Sequence, residues 1–258
     1  MINFKKLKEN KEEYRLNYLT AKPFPHLILK DLVDEEKLTR AYNSIGLLEN
    51  KSRDFIFAKN KFEKSNYWEL SEGFKELYDD FHSDEFRKFL CYISNREIFV
   101  DPANHGGGLH QGRSNSFLEM HLDYNYHPME KNWWREMNIL FYMNKNWEEE
   151  FGGHLKLHDL RTDEKVEIPV PWNTLVIQEC NDYTLHGYDQ TNFPEGVFRT
   201  SIATYAFSRH KRLLYKARTT DWVLTEDRGR IRKFLGRKMP LIIRLKSSVF
   251  GSKTSKNK

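Results

Sequence analysis

The sequence predicts an α+β fold in which a helical N-terminal part precedes an antiparallel β-sandwich or barrel. Two patterns carry this prediction. Helical periodicity dominates the first part of the chain, above all over residues 74–90. From about Phe99 to Phe207 the pattern changes to short apolar runs broken by turn signals, which include Gly106-Gly-Gly108 and Gly152-Gly153. Short strands at such spacing are typical of a sandwich or a barrel.

The individual elements follow from local signals. Pro23-Phe-Pro-His26-Leu-Ile-Leu predicts a short strand that enters the sheet. Asp34-Glu-Glu predicts the start of a helix, because acidic side chains favour the positive end of the helix dipole. In the last fifty residues, a mixture of cationic and apolar side chains predicts a helix over residues 228–238 that stops before Pro240.

These signals divide the chain into one domain and an extension. We assign residues 1–208 to the domain, with a helical part over residues 1–98 and a core over residues 99–208. Residues 209–258 form a basic C-terminal extension, which the fold prediction describes as a helical tail.

Composition excludes several classes of protein. Only 39% of the 258 residues are hydrophobic, and no run approaches the ~18–20 apolar residues that a membrane span needs. The N-terminal segment is charged throughout and lacks the apolar stretch of a signal peptide. Two cysteines, Cys91 and Cys180, cannot form a disulfide framework. We therefore expect a cytoplasmic protein without a transmembrane segment.

The net charge of +5 is an average over two unlike parts. Residues 209–258 contain 16 Lys or Arg and 3 acidic residues, which gives +13, and residues 1–208 contain 26 and 34, which gives −8. The ordinary interpretation of the extension is a terminal helix with a solvated basic face. A second interpretation is peripheral attachment to an anionic surface at the inner membrane face, since basic amphipathic helices bind such surfaces. No recognition motif indicates specific binding to nucleic acid.

A candidate metal site begins in Asn115-Ser-Phe-Leu-Glu-Met-His121-Leu-Asp123. Apolar and polar residues alternate here as in a half-buried strand, so His121 and Asp123 project from the same face. The spacing alone is weak, because His82-Ser-Asp84 repeats it in a segment whose pattern is helical. Side chains two apart on a helix do not face each other, so that pair is a poor chelator.

Two later features complete the candidate site. His186 follows a strand-like run at a distance that lets a later strand return beside the first. Arg199-Thr-Ser201 opens another alternating strand, and a guanidinium beside a hydroxyl is a good receptor for a carboxylate. Two histidines and one carboxylate are the ligand set of non-haem Fe(II) oxygenases, although three protein ligands also suit catalytic zinc. Arg199 favours iron, because an anchored anionic co-substrate fits 2-oxoglutarate.

The stretch from Gly106 to Phe207 resembles the prolyl-4-hydroxylase-like branch of the Fe(II)/2-oxoglutarate-dependent dioxygenase superfamily, particularly small bacterial members. The resemblance lies in the order and spacing of these segments: Gly106-Gly-Gly-Leu-His110, Phe117 through His127-Pro128, Asn132-Trp-Trp-Arg-Glu136, Asn138-Ile-Leu-Phe-Tyr-Met-Asn144, Trp147 through Leu157, His186-Gly and Arg199-Thr-Ser201. Residues 22–45 also look like the usual entry to this family.

The resemblance implies a double-stranded β-helix, or jelly roll, as the core of residues 1–208. It implies that His121, Asp123 and His186 bind iron and that Arg199 binds the distal carboxylate of 2-oxoglutarate. Further co-substrate contacts are then Tyr142 and Ser201, with Leu155 packed against the co-substrate.

The sequence therefore predicts an Fe(II)- and 2-oxoglutarate-dependent oxygenase that uses O2, hydroxylates a C–H bond and releases succinate and CO2. A zinc hydrolase with the same three ligands and a non-catalytic β-helix binding domain are the alternatives. The substrate is a small molecule, a glycan or a peptidyl group. Because the segment from Tyr124 to Glu136 follows the first two ligands, its aromatic residues and Arg135 are candidates for contact with that substrate.

Overall fold

A computed structural model describes residues 1–50 and 57–223 of the chain. The helix predicted over residues 228–238 lies outside the described residues. The helices in the described part are α1 (Phe4–Glu9), α2 (Lys11–Thr20), α3 (Glu35–Asn43), α4 (Glu72–Phe81) and α5 (Asp84–Ser94). The strands are β1 (His26–Lys30), β2 (Ala58–Lys64), β3 (Phe99–Val100), β4 (Gly108–Leu122), β5 (Trp133–Tyr142), β6 (Leu155–Asp159), β7 (Lys165–Ile168), β8 (Thr174–Glu179), β9 (Thr184–Tyr188), β10 (Arg199–Arg209) and β11 (Asp221–Trp222).

The strands form one curled antiparallel sheet. Its path runs β1-β8-β5-β10-β4-β9-β6-β7, while β2 and β11 pair with β4 and β3 pairs with β10. Strands that are distant in sequence are therefore neighbours, as in a jelly roll. The predicted α+β fold with a double-stranded β-helix core is confirmed.

Strand β4 joins the two halves of the roll. Its first half pairs with β10, from Gly108 to Gly112, and its second half pairs with β9, where His121 is opposite His186. Between the halves Asn115 adopts a positive φ of 62°, a conformation that asparagine tolerates better than most residues. The change of direction carries the end of β4 into the second half, where the candidate metal ligands lie.

The helices cover one face of the larger half. Amphipathic α4 and α5 bury Phe74, Leu77, Phe86 and Leu90 in the main core, which also contains sheet residues such as Phe141. The opposite face of the same strands is thereby left for polar side chains that point into the roll. No helix among the described residues is long and apolar enough to cross a membrane.

The helical pattern over residues 74–90 belongs to two helices. Helix α4 ends at Phe81, and Ser83 caps α5 by accepting a hydrogen bond from the backbone N–H of Phe86 at 3.1 Å. His82 therefore lies at a junction and not inside a helix. Its two ring nitrogens contact the backbone oxygens of Tyr78 and Asp101, at 2.7 and 3.0 Å. These two contacts, and not the geometry of a helix, direct its ring away from Asp84.

The N-terminal and C-terminal parts both contribute to the sheet. Strand β1 pairs with β8 and β2 pairs with β4, so residues 1–98 supply two strands besides the helices. Strand β11, which belongs to residues 209–258, pairs with β4 at His121 and Leu122. The start of the extension is thus part of the same packed structure as the core.

Candidate active site

Three side chains converge at the end of β4 and the middle of β9. The Nε2 atom of His121 lies 3.7 Å from one Asp123 carboxylate oxygen, and the Nε2 atom of His186 lies 3.4 Å from the other. One potential ligand atom from each of these three residues lies within 4.8 Å of the other two. In the described part of the chain, this is the only group of three or more such side chains close enough to hold one metal ion.

The protonation states of these side chains suit a metal ion. The Nδ1–H of His121 donates to the backbone oxygen of Glu119 at 2.8 Å. The proton is therefore on Nδ1, and the lone pair of Nε2 is available to a metal ion. Burial lowers the pKa of His121, and burial together with the neighbouring His121 lowers the pKa of His186 to about 3. Both imidazoles are therefore neutral at neutral pH, as metal ligation requires.

The Asp123 carboxylate is held by two buried neighbours. Burial raises its pKa, but the Arg135 guanidinium and the hydrogen bond from Asn138 outweigh that effect, so that the pKa of Asp123 lies well below its usual range. Its Oδ2 atom accepts a hydrogen bond from the Asn138 amide at 2.7 Å and lies 3.0 Å from Arg135 Nη2. Arg135 also donates twice to the Asn138 oxygen, at 3.0 and 2.6 Å. These contacts fix the carboxylate with Oδ1 directed at His121.

Arg135 is therefore not placed as a substrate contact. Its side chain is buried, with a residue exposure of 2%, and its guanidinium lies over the rings of Tyr124 and Tyr205 at 4.4 and 3.6 Å. The sequence interpretation assumed that a charged residue in a loop-like segment is exposed, whereas Arg135 is the third residue of β5 and turns inward towards Asp123.

A second polar site surrounds Arg199 at the start of β10. The Nε–H of Arg199 donates to the backbone oxygen of Gly153 at 2.7 Å, its Nη2 lies 3.5 Å from the Tyr142 hydroxyl, and its guanidinium lies 3.9 Å from the Tyr188 ring centroid. The residue is buried, yet none of the described acidic side chains forms an ion pair with it. A structural salt bridge, the simplest alternative for this arginine, is thus not found among the described residues, and the buried charge is suited to an external carboxylate.

The other predicted co-substrate contacts lie around this arginine. Ser201 is two residues from Arg199 on the same strand face, and in the sheet register it is opposite Tyr142. Leu155 and Tyr142 belong to one buried apolar cluster. The structure thus brings Arg199, Tyr142, Ser201 and Leu155 into one region of the roll, and their roles remain predictions.

Four other histidines stay outside the candidate metal site. His127, His154 and His158 face carboxylates of Asp101, Glu149 and Asp163 respectively. His110 is opposite Ser201 in the sheet register. None of the four belongs to the metal-binding group, as the sequence led us to expect.

The first residues of the extension cover the metal site, which the sequence did not indicate. The Trp222 ring lies 4.6 Å from the His121 ring and stacks on Phe57 at 5.0 Å. Arg218 hydrogen-bonds to Asn125 and lines a small cavity that Asp123 and Arg135 also line. Neither residue carried a usable signal, because a single tryptophan and a single arginine in a basic segment have no pattern that points to a site.

Comparison with known families identifies this arrangement. Residues 107–207 match the model of the 2OG-Fe(II) oxygenase superfamily, and this range contains the three candidate metal ligands and Arg199. Residues 107–207 of the chain thus form the part that matches the 2OG-Fe(II) oxygenase superfamily. Its cofactors are accordingly Fe(II), 2-oxoglutarate and O2, and the zinc hydrolase and the non-catalytic domain are not favoured.

Solved structures support the same fold for this oxygenase. A prolyl hydroxylase from Trichoplax adhaerens, solved with a peptide of hypoxia inducible factor, superposes with a TM-score of 0.57 at 15% identity and covers 78% of this chain and 92% of that chain. A Pseudomonas putida prolyl-4-hydroxylase gives 0.54 at 13% identity, with 78% and 100% covered. HygX from Streptomyces hygroscopicus, solved with nickel, 2-oxoglutarate and hygromycin B, gives 0.53 at 10% identity, with 84% and 94% covered. A search of curated protein sequences gave no match.

Proposed function

We propose that this oxygenase hydroxylates a C–H bond with His121, Asp123 and His186 as iron ligands and Arg199 as the anchor of 2-oxoglutarate. The observation that carries the proposal is the presence of two complementary sites inside one β-roll. One is a buried group of two neutral imidazoles and an ionised carboxylate, and the other is a buried arginine with no acidic partner among the described residues. A metal cation and a dicarboxylate are the ligands that such a pair of sites suits.

When bound, iron, 2-oxoglutarate and O2 would supply the oxidising chemistry: one oxygen atom of O2 would enter succinate as CO2 is released, and the other would become the hydroxyl group of the substrate. The chain supplies positioning. Three ligands leave open positions on the metal, and the Arg135 and Asn138 contacts hold the Asp123 carboxylate in place. Arg199 fixes one end of the co-substrate, while the Trp222 ring limits access of water to the His121 side.

Two substitutions test these roles separately. His121→Ala removes one of three metal ligands, so we expect loss of measurable Fe(II) binding under anaerobic conditions and loss of succinate formation. Arg199→Met removes the carboxylate partner, so we expect unchanged metal binding and an increase of about 30-fold or more in the Kd of 2-oxoglutarate. Metal analysis, isothermal titration and succinate release are the measurements.

The pattern of results decides between the proposal and its rivals. Succinate release by the unmodified protein that needs both iron and 2-oxoglutarate supports an oxygenase. Metal binding that His121→Ala leaves unchanged, or a 2-oxoglutarate affinity that does not respond to Arg199→Met, would contradict the assigned roles.

The substrate class is proposed only broadly. Two proteins of similar fold were solved in complex with a peptide and with hygromycin B. Peptidyl, glycan and small-molecule substrates are therefore all compatible with this fold. We propose that the enzyme acts in the cytoplasm and that its C-terminal extension, with a net charge of +13, brings it to the anionic inner face of the membrane. Residues 1–208 are the proposed catalytic domain.

A further inference from the structure

A short segment between β10 and β11 exposes three consecutive apolar side chains. Leu213, Leu214 and Tyr215 are 52%, 47% and 59% exposed. Isolated exposed leucines are common on protein surfaces, but adjacent ones form a patch that favours an interface. We call residues 211–216 the rim segment.

The rim segment is fixed to the loop that follows the candidate metal ligands. The backbone N–H groups of Leu214 and Tyr215 both donate to the Tyr126 hydroxyl, at 2.6 and 3.1 Å. The Tyr215 ring packs on Trp134 with 5.1 Å between centroids. The Asn125 amide donates to the Lys216 backbone oxygen at 3.0 Å. The leucine side chains are therefore presented to solvent by a backbone that is hydrogen-bonded in place.

The charge around the patch has one sign. Residues 209–220 contain five Lys or Arg and no acidic residue. Lys211, Arg212 and Lys216 are exposed beside the apolar side chains. The following residues 224–258 contain 11 basic and 2 acidic residues, so this part of the chain has the same sign as the rim segment and is a poor electrostatic match for it. A second copy of the same patch is disfavoured for the same reason.

We propose that the rim segment is a docking surface for an anionic lipid bilayer. Exposed leucines and a tyrosine gain free energy by entering the interface between headgroups and acyl chains, and the adjacent cations gain by attraction to anionic headgroups. A nucleic acid would use the cations but leave the adjacent leucines in water, so the combination favours lipid.

The position of the rim segment gives docking a consequence for the active site. Arg218, two residues after the segment, lines the small cavity beside Asp123. Docking therefore holds this side of the roll against the membrane, where a lipid-linked or headgroup-bearing substrate would be presented. Docking refines the membrane localisation given under the proposed function, and this consequence for the active site rests on the proposed chemistry.

The test uses the full-length chain and vesicles of phosphatidylcholine, with or without phosphatidylglycerol, in a sedimentation assay without iron or 2-oxoglutarate. We expect binding only to the anionic vesicles. The double variants Leu213→Ser/Leu214→Ser and Lys211→Glu/Arg212→Glu should each weaken binding by about tenfold or more. Because all four side chains are exposed, circular dichroism and 2-oxoglutarate binding should not change.

The matched control is Leu16→Ser/Leu19→Ser. These two leucines are also exposed, on α2, but residues 9–20 around them carry three acidic and two basic side chains, so their surroundings do not attract an anionic surface. The control should leave vesicle binding unchanged. Absence of binding to anionic vesicles, equal binding by both rim variants and the unmodified chain, or an equal effect of the control would overturn the proposal. If the unmodified protein bound anionic vesicles but released no succinate in a separate assay with iron and 2-oxoglutarate, the proposed chemistry would be wrong and the docking surface would stand.

Discussion

At the scale of single residues, the least expected feature is the pair that holds Asp123. Arg135 and Asn138 both contact its Oδ2 atom, and Arg135 is itself clamped between two tyrosine rings. A buried guanidinium on a ligand carboxylate stabilises the ionised form and restricts its rotation. The carboxylate is therefore ready to bind a cation before the cation arrives.

Asn138→Ala tests this positioning role. It removes one hydrogen bond to Asp123 and both hydrogen bonds that Arg135 makes to the Asn138 oxygen, so we expect metal affinity to fall by roughly 10- to 100-fold. Titration with Mn(II), which avoids oxidation, measures the effect. Asn173→Ala is the control, because Asn173 is also a buried asparagine, but its side chain hydrogen-bonds to the backbone of Val33 and not to a metal ligand. The control should lower the thermal unfolding midpoint and leave Mn(II) affinity unchanged; equal losses of affinity in both variants would mean a general structural effect.

The lowered pKa values of the histidines predict a weak pH dependence of metal binding. Two imidazoles with the ordinary pKa of about 6.5 would be largely protonated at pH 6, and the Kd for the metal would rise by roughly 15-fold between pH 8 and pH 6. Burial lowers the pKa of His121, and it lowers that of His186 to about 3 with the help of His121, so protons compete less than these ordinary values imply. We expect the Kd for Mn(II) to rise by less than about fourfold, the change that a single ordinary imidazole would cause. A rise of the larger size would show that the imidazoles titrate normally.

Much of the candidate site could be predicted at this scale, and the reason is periodicity. Alternation along one strand places His121 and Asp123 on one face, and this holds whatever the rest of the fold does. The inward turn of Arg135 and the stacking of Trp222 on His121 depend on contacts between distant segments, which no local pattern encodes.

At the scale of elements, the loop before β6 links the metal half of the roll to the co-substrate region. Gly152 and Gly153 both have a positive φ, of 65° and 75°. A Cβ on Gly153 would lie 3.1 Å from Arg199 Cδ and 3.0 Å from Thr191 Cγ2, whereas a Cβ on Gly152 would meet only the Gln190 backbone oxygen at 3.7 Å. An alanine is thus strained at both positions, but only a Cβ at Gly153 touches Arg199.

Gly153→Ala and Gly152→Ala therefore form a matched pair. We expect Gly153→Ala to displace the Arg199 guanidinium and raise the Kd of 2-oxoglutarate by roughly tenfold, the effect of one charge-assisted hydrogen bond. Gly152→Ala should leave this Kd nearly unchanged, although both variants should lower the thermal unfolding midpoint. Calorimetric titration of 2-oxoglutarate into the metal-loaded proteins measures the Kd, and thermal unfolding measures the midpoint. An equal loss of affinity in the two variants would show that strain, not contact with Arg199, is responsible.

Element boundaries show why local patterns have limits. Residues 74–90 carry a continuous amphipathic pattern because α4 and α5 both bury one face in the same core. The break between them is made by the side chain of Ser83, which caps α5, and one serine does not interrupt the periodicity of apolar residues. The helices were thus predicted and their junction was not.

At the scale of the whole molecule, apolar runs broken by turn signals predicted an antiparallel sandwich or barrel, and only the family resemblance narrowed that class to a jelly roll. Its strand order was not predictable, because β4 pairs with β2, β9, β10 and β11, four partners spread over most of the chain. The extension also has two roles that the charge arithmetic could not separate. Its first residues pack on the core, and its net charge indicates a surface for an anionic partner.

Two truncations separate these roles. A chain that ends at residue 223 keeps Arg218, Trp222 and strand β11, so we expect its metal affinity and its thermal unfolding midpoint to match those of the full-length protein. A chain that ends at residue 208 loses the stack on His121 and the hydrogen bond to Asn125, which together should lower the unfolding midpoint by roughly 5–10 °C and weaken Mn(II) binding several-fold. Scanning calorimetry and Mn(II) titration measure both. If the chain that ends at residue 208 matched the chain that ends at residue 223 in both measurements, residues 1–208 would be a self-sufficient domain, and the contacts of residues 209–223 would contribute nothing to the metal site. If the chain that ends at residue 223 were already impaired, the metal site would depend on residues beyond 223.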